Sequence, residues 1–142
     1  MLIALITDQH FGGKQDSQSF SDYIEKFYKN QFFPYLKENK INTVIDLGDT
    51  FDRRKYVNFN TLHQVKRFYF DYMRAEHIQL HSIVGNHSTY YRNTNEVNSS
   101  ELLYGHYDNV HAYPKPTTIT LDGTDIDILP WINSENYDIM ME

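Results

Sequence analysis

The sequence contains no cysteine, which excludes a disulfide framework, a thiolate zinc site and a cysteine nucleophile. No run approaches the ~20 apolar residues of a membrane-spanning helix, and the apolar start reaches Asp8 too early for a signal peptide. Positive charge is scarce, since the sequence has 13 Lys and Arg but 19 Asp and Glu, which gives a net charge of −6. A passive nucleic-acid binder normally has a basic face, whereas an enzyme acting on phosphates can reverse the local field with bound cations. We therefore expect a cytoplasmic globular protein without a membrane segment.

The hydrophobic pattern predicts an α/β fold in a single domain, for which 142 residues suffice. Three short apolar runs typical of buried strands alternate with two patterns of helical spacing. The predicted strands are Leu2–Ile6, Thr43–Leu47 and Ile78–Val84. The first helix should begin after Ser19 as N-cap and be interrupted at Pro34, and the second should cover about 60–76.

The last third of the chain predicts a short helix and an antiparallel addition to the sheet. A capping-box pattern at Asn98–Glu101 opens a helix that runs to about Tyr107. Val110–Tyr113 is a candidate fourth strand, and Asp122-Gly123 is a strong hairpin signal between two β-like runs. The predicted fold is thus a mixed, largely parallel β-sheet with flanking helices, and 12 Tyr and 9 Phe predict a core built on large rings.

A polar cluster directly follows each of the three predicted strands. The clusters contain Asp8 and His10, then Asp49 and Asp52, and finally Asn86 and His87. Because the carboxyl ends of parallel strands meet at one edge of a sheet, we expect these side chains to converge there. Carboxylates, imidazoles and an amide oxygen are hard and borderline metal ligands. The pattern therefore indicates a metal-dependent hydrolase.

Each cluster taken singly is also compatible with ordinary loop chemistry, such as an Asx turn. Asp8 and His10 stand two apart, so on an extended segment both would point the same way. Gly48 would let the backbone turn sharply before Asp49, whose two oxygens can bridge two cations. The occurrence of all three clusters at strand ends favours a joint site.

The three clusters resemble the first three motifs of the calcineurin-like metallophosphoesterases. The Gly-Asp-x-Phe-Asp form at Gly48–Asp52, with the later Ile128–Trp131, is most similar to the DNA-nuclease branch, including the recombination nuclease subunits of large tailed phages. The similarity runs over the whole chain and implies the metallophosphoesterase fold. It also implies that Asp8 and His10 bind a first metal ion. Asp49 would bridge both ions and Asn86 would bind the second.

The resemblance assigns the chemistry to His87, which would donate a proton to the leaving oxygen or stabilise charge on the phosphate, and to Asp52, which would orient His87. The implied cofactor is a pair of Mn²⁺ ions, with Mg²⁺ as the alternative. The implied partners are DNA and an SMC-like ATPase subunit. A homodimer is compatible with the resemblance, and the location would be the host cytoplasm if the protein is phage-encoded.

Two departures from the family pattern matter. The family usually has an acidic residue after Gly-Asn-His, where this chain has Ser88. The later Gly-His and Gly-x-His-x-His motifs, which complete the family's metal site, do not occur up to Glu142. We therefore expect residues 1–142 to be the N-terminal part of a nuclease domain, with an incomplete fold and little activity alone. His81, inside a predicted strand, is interpreted as structural.

Two other functions stay open at this point. One is a small-molecule or protein phosphoesterase of the same superfamily, which activity on chromogenic phosphodiesters rather than plasmid DNA would indicate. The other is a truncated, inactive module that binds a partner, which would take up no pair of manganese ions.

Overall fold

The computed structural model describes residues 1–48, 50, 59–83, 107–130 and 137–141. Four strands of this part form one sheet in the order β1-β2-β3-β4, with every neighbouring pair parallel. The strands are β1 Ala4–Ile6, β2 Thr43–Asp46, β3 Gln79–Ile83 and β4 Val110–Tyr113. The predicted strands are confirmed: β1, β2 and β3 lie within their apolar runs and are shorter than them, and β4 has the predicted bounds.

The register places the carboxyl ends of the strands at one edge of the sheet. Ile6 lies opposite Asp46, and Asp46 in turn lies opposite Ser82. Ile83, the last residue of β3, lies opposite Tyr113. The loops that leave β1 and β2 therefore start side by side, as the alternation of apolar runs and polar clusters predicts.

The first helical region is divided more finely than its periodicity suggests. It comprises α1 Gly13–Asp16, α2 Gln18–Phe27, a π-helical turn at Tyr28–Phe32 and α3 Phe33–Glu38. The N-cap of α2 is Ser17, whose hydroxyl accepts a hydrogen bond from the Phe20 amide at 3.4 Å, so the expected cap at Ser19 is wrong. Pro34 is the second residue of α3 and directly follows the π-helical turn, so the regular α-helix is interrupted just before this proline, as expected.

The second helical region confirms the predicted helix at about 60–76. It comprises α4 Phe59–Val65, a π-helical turn at Lys66–Phe70 and α5 Asp71–Ala75. A further helical turn, α6, covers Tyr137–Met140. None of the helices in the described ranges is both long enough and apolar enough to cross a membrane.

The predicted hairpin is present. Strands β5 Thr117–Leu121 and β6 Thr124–Ile128 pair antiparallel, and Asp122 and Gly123 both have positive φ, at 51° and 79°, as a two-residue type I′ turn requires. In the described part of the chain the hairpin forms its own two-stranded sheet. We had expected the hairpin to extend the parallel sheet, and this expectation is wrong for the described residues. The predicted helix at about 98–107 lies outside the described residues except for its last residue.

The first and second helical regions pack on the sheet around an aromatic core. Val44, Leu80 and Val110 point from the strands into this core. Tyr69, which is fully buried, lies between Tyr28 and Phe11, with ring centroids 5.3 Å from each. Such offset and edge-to-face pairs add to the stabilisation that burial provides. The expected core of large rings is therefore confirmed.

His81 in β3 is held as a neutral side chain between two residues of β4. Its Nδ1 lies 2.6 Å from the hydroxyl of Tyr113, and its ring stacks on that of His111 at 5.0 Å between centroids. Burial, with repulsion from His111, lowers the pKa of His81 to about 4. These contacts support a structural role for His81.

We predict that His81→Gln reduces the loss of folding stability that occurs as the pH becomes acidic. The pKa of folded His81 lies below its ordinary value of 6.5, so the stability from its neutral form is complete above pH 6.5 and is lost as the pH falls towards 4. Urea unfolding at several pH values should show that the free energy of unfolding falls more for the wild type than for the variant between pH 6.5 and 4. His63→Gln, at an exposed position, controls for the loss of an imidazole. If the free energy of unfolding changed equally with pH in wild type and His81→Gln, the prediction would be contradicted.

Candidate metal centre

The loop that leaves β1 carries two potential metal ligands in contact. Oδ1 of Asp8 lies 3.5 Å from Nε2 of His10, and the two side chains are 58% and 29% exposed. A carboxylate and an imidazole at this separation can bind one divalent cation. The structure therefore brings together the two ligands predicted for the first metal ion.

The backbone of this loop differs from the extended segment that the sequence suggests. Asp8 and His10 both have left-handed φ values, 54° and 48°. Such values are uncommon for residues other than glycine, and strained backbone is often found at functional sites. The two side chains approach each other through this tight turning of the chain, so the expected extended geometry is wrong although the pair itself forms.

Backbone hydrogen bonds tie this loop to the loop that leaves β2. The Asp8 amide donates to the Gly48 carbonyl at 3.1 Å, and the Phe11 amide donates to the Thr50 carbonyl at 2.7 Å. Phe11 is buried, and its ring packs edge-on against that of Phe68 at 5.7 Å between centroids. Both residues that flank position 49 are therefore fixed beside the loop of Asp8.

Gly48 has the conformational role that its place before Asp49 suggested. Its φ is 113°, which lies in the region that favours glycine. In this conformation its amide donates to Oδ1 of Asp46 at 3.0 Å. A side chain at this position would strain the turn that starts the second loop.

Asp46, the last residue of β2, is a functional candidate that the sequence reasoning missed. Its side chain is fully buried, and its Oδ2 accepts hydrogen bonds from Gln9 Nε2 at 3.0 Å, Thr50 Oγ1 at 2.9 Å and Tyr69 Oη at 3.2 Å. Burial raises its pKa to about 6, although the hydrogen bonds from Gly48, Thr50, Gln9 and Tyr69 act in the opposite direction. The available signal was a carboxylate inside an otherwise apolar strand of a parallel sheet.

The remaining predicted site residues are Asp49, Asp52, Asn86 and His87, and all four lie outside the described residues. Their convergence with Asp8 stays a prediction. The described neighbours agree with it, because Gly48 and Thr50 contact the first loop and β3 ends at the same edge of the sheet. Within the described ranges, no group of three or more His, Asp or Glu side chains is arranged to hold a metal ion.

An open groove reaches the candidate ligand Asp8 from one side. It has a volume of about 670 Å³ and is lined by Asp8 and Gln9 together with residues of β1 and α2, including Tyr23 and Phe27. A volume of several hundred Å³ is typical of ligand-binding clefts. Asp8 is therefore accessible to a molecule larger than water.

Comparison with known proteins shows the family of the chain. The chain belongs to the calcineurin-like phosphoesterase family, whose model matches residues 1–139, so the resemblance seen in the three clusters is confirmed. Members of this family use divalent metal ions.

Two similar proteins carry nuclease names. The chain is 37% identical over its 142 residues to exonuclease subunit 1 of enterobacteria phage T4, and it covers 41% of that protein. Its fold is similar to the crystal structure of Pseudomonas putida nuclease MPE, with a TM-score of 0.51 and 18% identity, covering 84% of this chain and 50% of that one. The chain thus spans half or less of the length of these proteins.

We predict that Asp46→Asn changes the pH dependence of stability in the direction opposite to His81→Gln. The pKa of folded Asp46, about 6, lies above its ordinary value of 3.8, so its contribution to stability is complete below pH 3.8 and is lost as the pH rises to 6. The free energy of unfolding of Asp46→Asn relative to wild type should therefore rise between pH 4 and 6. Urea unfolding measures this difference, with the exposed Asp125→Asn as a control for net charge. A difference that is constant over the window would contradict the prediction.

Proposed function

We propose that this chain is the N-terminal part of a metal-dependent DNA nuclease domain that hydrolyses phosphodiester bonds at a two-metal site. The observation that carries the proposal is the contact between Asp8 and His10 at the carboxyl edge of a parallel sheet, with Gly48 and Thr50 hydrogen bonded to the same loop. Membership of a phosphoesterase family supports the reaction class. The phage exonuclease subunit, at 37% identity, supports DNA as the substrate.

The donors of the first loop fit the proposed ions. An exposed carboxylate and a half-buried imidazole supply one hard and one borderline ligand. Asp8 and His10 would hold the first ion, Asp49 would bridge the pair and Asn86 would hold the second. Manganese suits such a mixed oxygen and nitrogen site, and Mg²⁺ is the alternative ion.

When bound, a pair of divalent ions supplies charge neutralisation on the phosphate and activation of a water for in-line displacement. The side chains of this chain would position and protonate the substrate around that chemistry. In the proposal, His87 donates a proton to the leaving oxygen, and Asp52 holds the imidazole of His87 in the required orientation. We further propose an SMC-like ATPase partner and a location in the host cytoplasm.

We predict that His87 and Asp49 can be separated by their effects on metal binding. In the full-length protein, His87→Ala should reduce DNA cleavage by roughly 10²- to 10⁴-fold, the usual scale for a positioned general acid, while manganese binding survives. Asp49→Ala should remove the pairing of the two ions, because it removes the bridging carboxylate. Calorimetric titration with Mn²⁺ and cleavage of linear DNA measure both effects. Loss of manganese affinity in His87→Ala would show that the roles are assigned wrongly.

We also predict that a protein of residues 1–142 alone has little or no nuclease activity. Two carboxylates, one imidazole and one amide oxygen do not saturate two octahedral ions, so at least one ion would be weakly held and its water poorly activated. Weak binding of a single ion is compatible with this view. The assay is manganese-dependent degradation of linear DNA, with a chromogenic phosphodiester as the competing substrate. Robust DNA degradation that is absent in Asp49→Ala would contradict the prediction.

A further inference from the structure

The fully buried carboxylate of Asp46 connects the two loops of the candidate metal centre. Gln9, which donates to it at 3.0 Å, belongs to the loop after β1, and Thr50, which donates at 2.9 Å, belongs to the loop after β2. We propose that Asp46 is a positioning residue that fixes the spacing of these two loops through Gln9 and Thr50. The inference rests on the proposed function, since it concerns the ligands of the proposed metal site.

The energetics of Asp46 argue against a role as a simple core residue. Burying a carboxylate is costly unless it is well hydrogen bonded, whereas an apolar side chain of similar volume would fill the same space without that cost. Strands buried in parallel sheets are usually apolar, and the two preceding residues of β2, Val44 and Ile45, are buried and follow that rule. The hydrogen bonds that compensate for burial of Asp46 go to loop residues and to one tyrosine of the helical layer.

The position of each partner shows what these hydrogen bonds hold. Gln9 stands between Asp8 and His10, and Thr50 directly follows the position of the proposed bridging ligand. The Asp8 and Phe11 amides also bond to Gly48 and Thr50, so side-chain and backbone ties act on the same two loops.

Tyr69 differs from the other partners of Asp46. Its hydroxyl donates to the same carboxylate oxygen at 3.2 Å and accepts a hydrogen bond from Gln9 Nε2 at 3.2 Å. Its own chain segment, however, lies in the second helical region and carries no proposed ligand. Partners that orient metal ligands from outside the coordination sphere typically change metal affinity by 10- to 100-fold when they are lost. Loss of a bond from a loop partner, Gln9 or Thr50, should show such an effect, whereas loss of the Tyr69 hydroxyl leaves both of these bonds to Asp46 in place.

The test compares Thr50→Val with Tyr69→Phe in the full-length protein. Both variants remove one hydroxyl that donates to Oδ2 of Asp46, both keep nearly the same side-chain shape, and both positions are almost completely buried. Thr50→Val should weaken Mn²⁺ binding about tenfold or more in a calorimetric titration, and Thr50→Ser, which keeps the hydroxyl, should restore it. Tyr69→Phe should lower the melting temperature but leave Mn²⁺ affinity within about threefold of wild type. Equal losses of affinity in Thr50→Val and Tyr69→Phe, or no loss in either, would overturn the inference.

A second measurement without metal separates the inference from the proposed function. Amide hydrogen exchange at Asp8 and Phe11 should be faster in Thr50→Val than in Tyr69→Phe, because Thr50→Val removes the side-chain bond of the second loop to Asp46, whereas Tyr69→Phe leaves the Gln9 and Thr50 bonds to Asp46 in place. Equal exchange in the two variants would overturn the inference. If the wild type bound no Mn²⁺ while the exchange difference was present, the proposed function would fail and the positioning of the loops by Asp46 would stand.

Discussion

The parallel pairing of β1 with β2 continues beyond the ends of the strands, and the candidate site depends on this continuation. The Leu47 amide donates to the Ile6 carbonyl at 2.8 Å, where the regular ladder stops. Asp8 then bonds to Gly48, and Phe11 bonds to Thr50. Beyond the strand ends, these backbone hydrogen bonds hold the two loops together. Asp8 and His10 are thereby held beside the loop from which the second motif starts.

The aromatic core gives this arrangement a fixed support. Phe11 follows the ligand pair directly and inserts its ring between Tyr28, Phe68 and Tyr69. Tyr69 also reaches the Asp46 carboxylate with its hydroxyl, so one side chain joins the apolar packing to the buried polar network. A ring that is buried on one side and hydrogen bonded on the other is a common use of tyrosine. The core and the candidate metal centre therefore share residues, and a substitution in one should affect the structure of the other.

The sequence was informative about the fold where a physical rule links pattern to structure. The apolar runs predicted the strands because strands buried on both faces need continuous hydrophobic sequence, and Asp122-Gly123 predicted the hairpin because both residues tolerate positive φ. The N-cap of α2 was misplaced because Ser17 and Ser19 are both good caps, and helical periodicity does not fix a start within two residues. The separate pairing of the hairpin depends on long-range packing that local sequence does not contain.

The candidate site was only partly predictable for a different reason. Asp8 and His10 stand out because they follow a strand directly, whereas Asp46 lies inside one and its carboxylate gains meaning only from Gln9, Thr50 and Tyr69. Those partners come from three separate segments of the chain, so no local sequence motif predicts them. The left-handed backbone at Asp8 and His10 likewise occurs where the two loops are hydrogen bonded to each other, and no local sequence pattern predicts it.

Paramagnetic broadening by Mn²⁺ in amide NMR spectra tests the central claim most directly, which is that the loops after β1 and β2 together form one metal centre. Substoichiometric Mn²⁺ should selectively broaden the amide signals of Asp8, His10, Gly48 and Thr50 together, while Mg²⁺ at the same concentration should shift signals without broadening them. The acidic hairpin of β5 and β6, with Asp125 and Asp127, serves as an internal control for nonspecific binding. Broadening centred on the hairpin, or on only one of the two loops, would contradict the account.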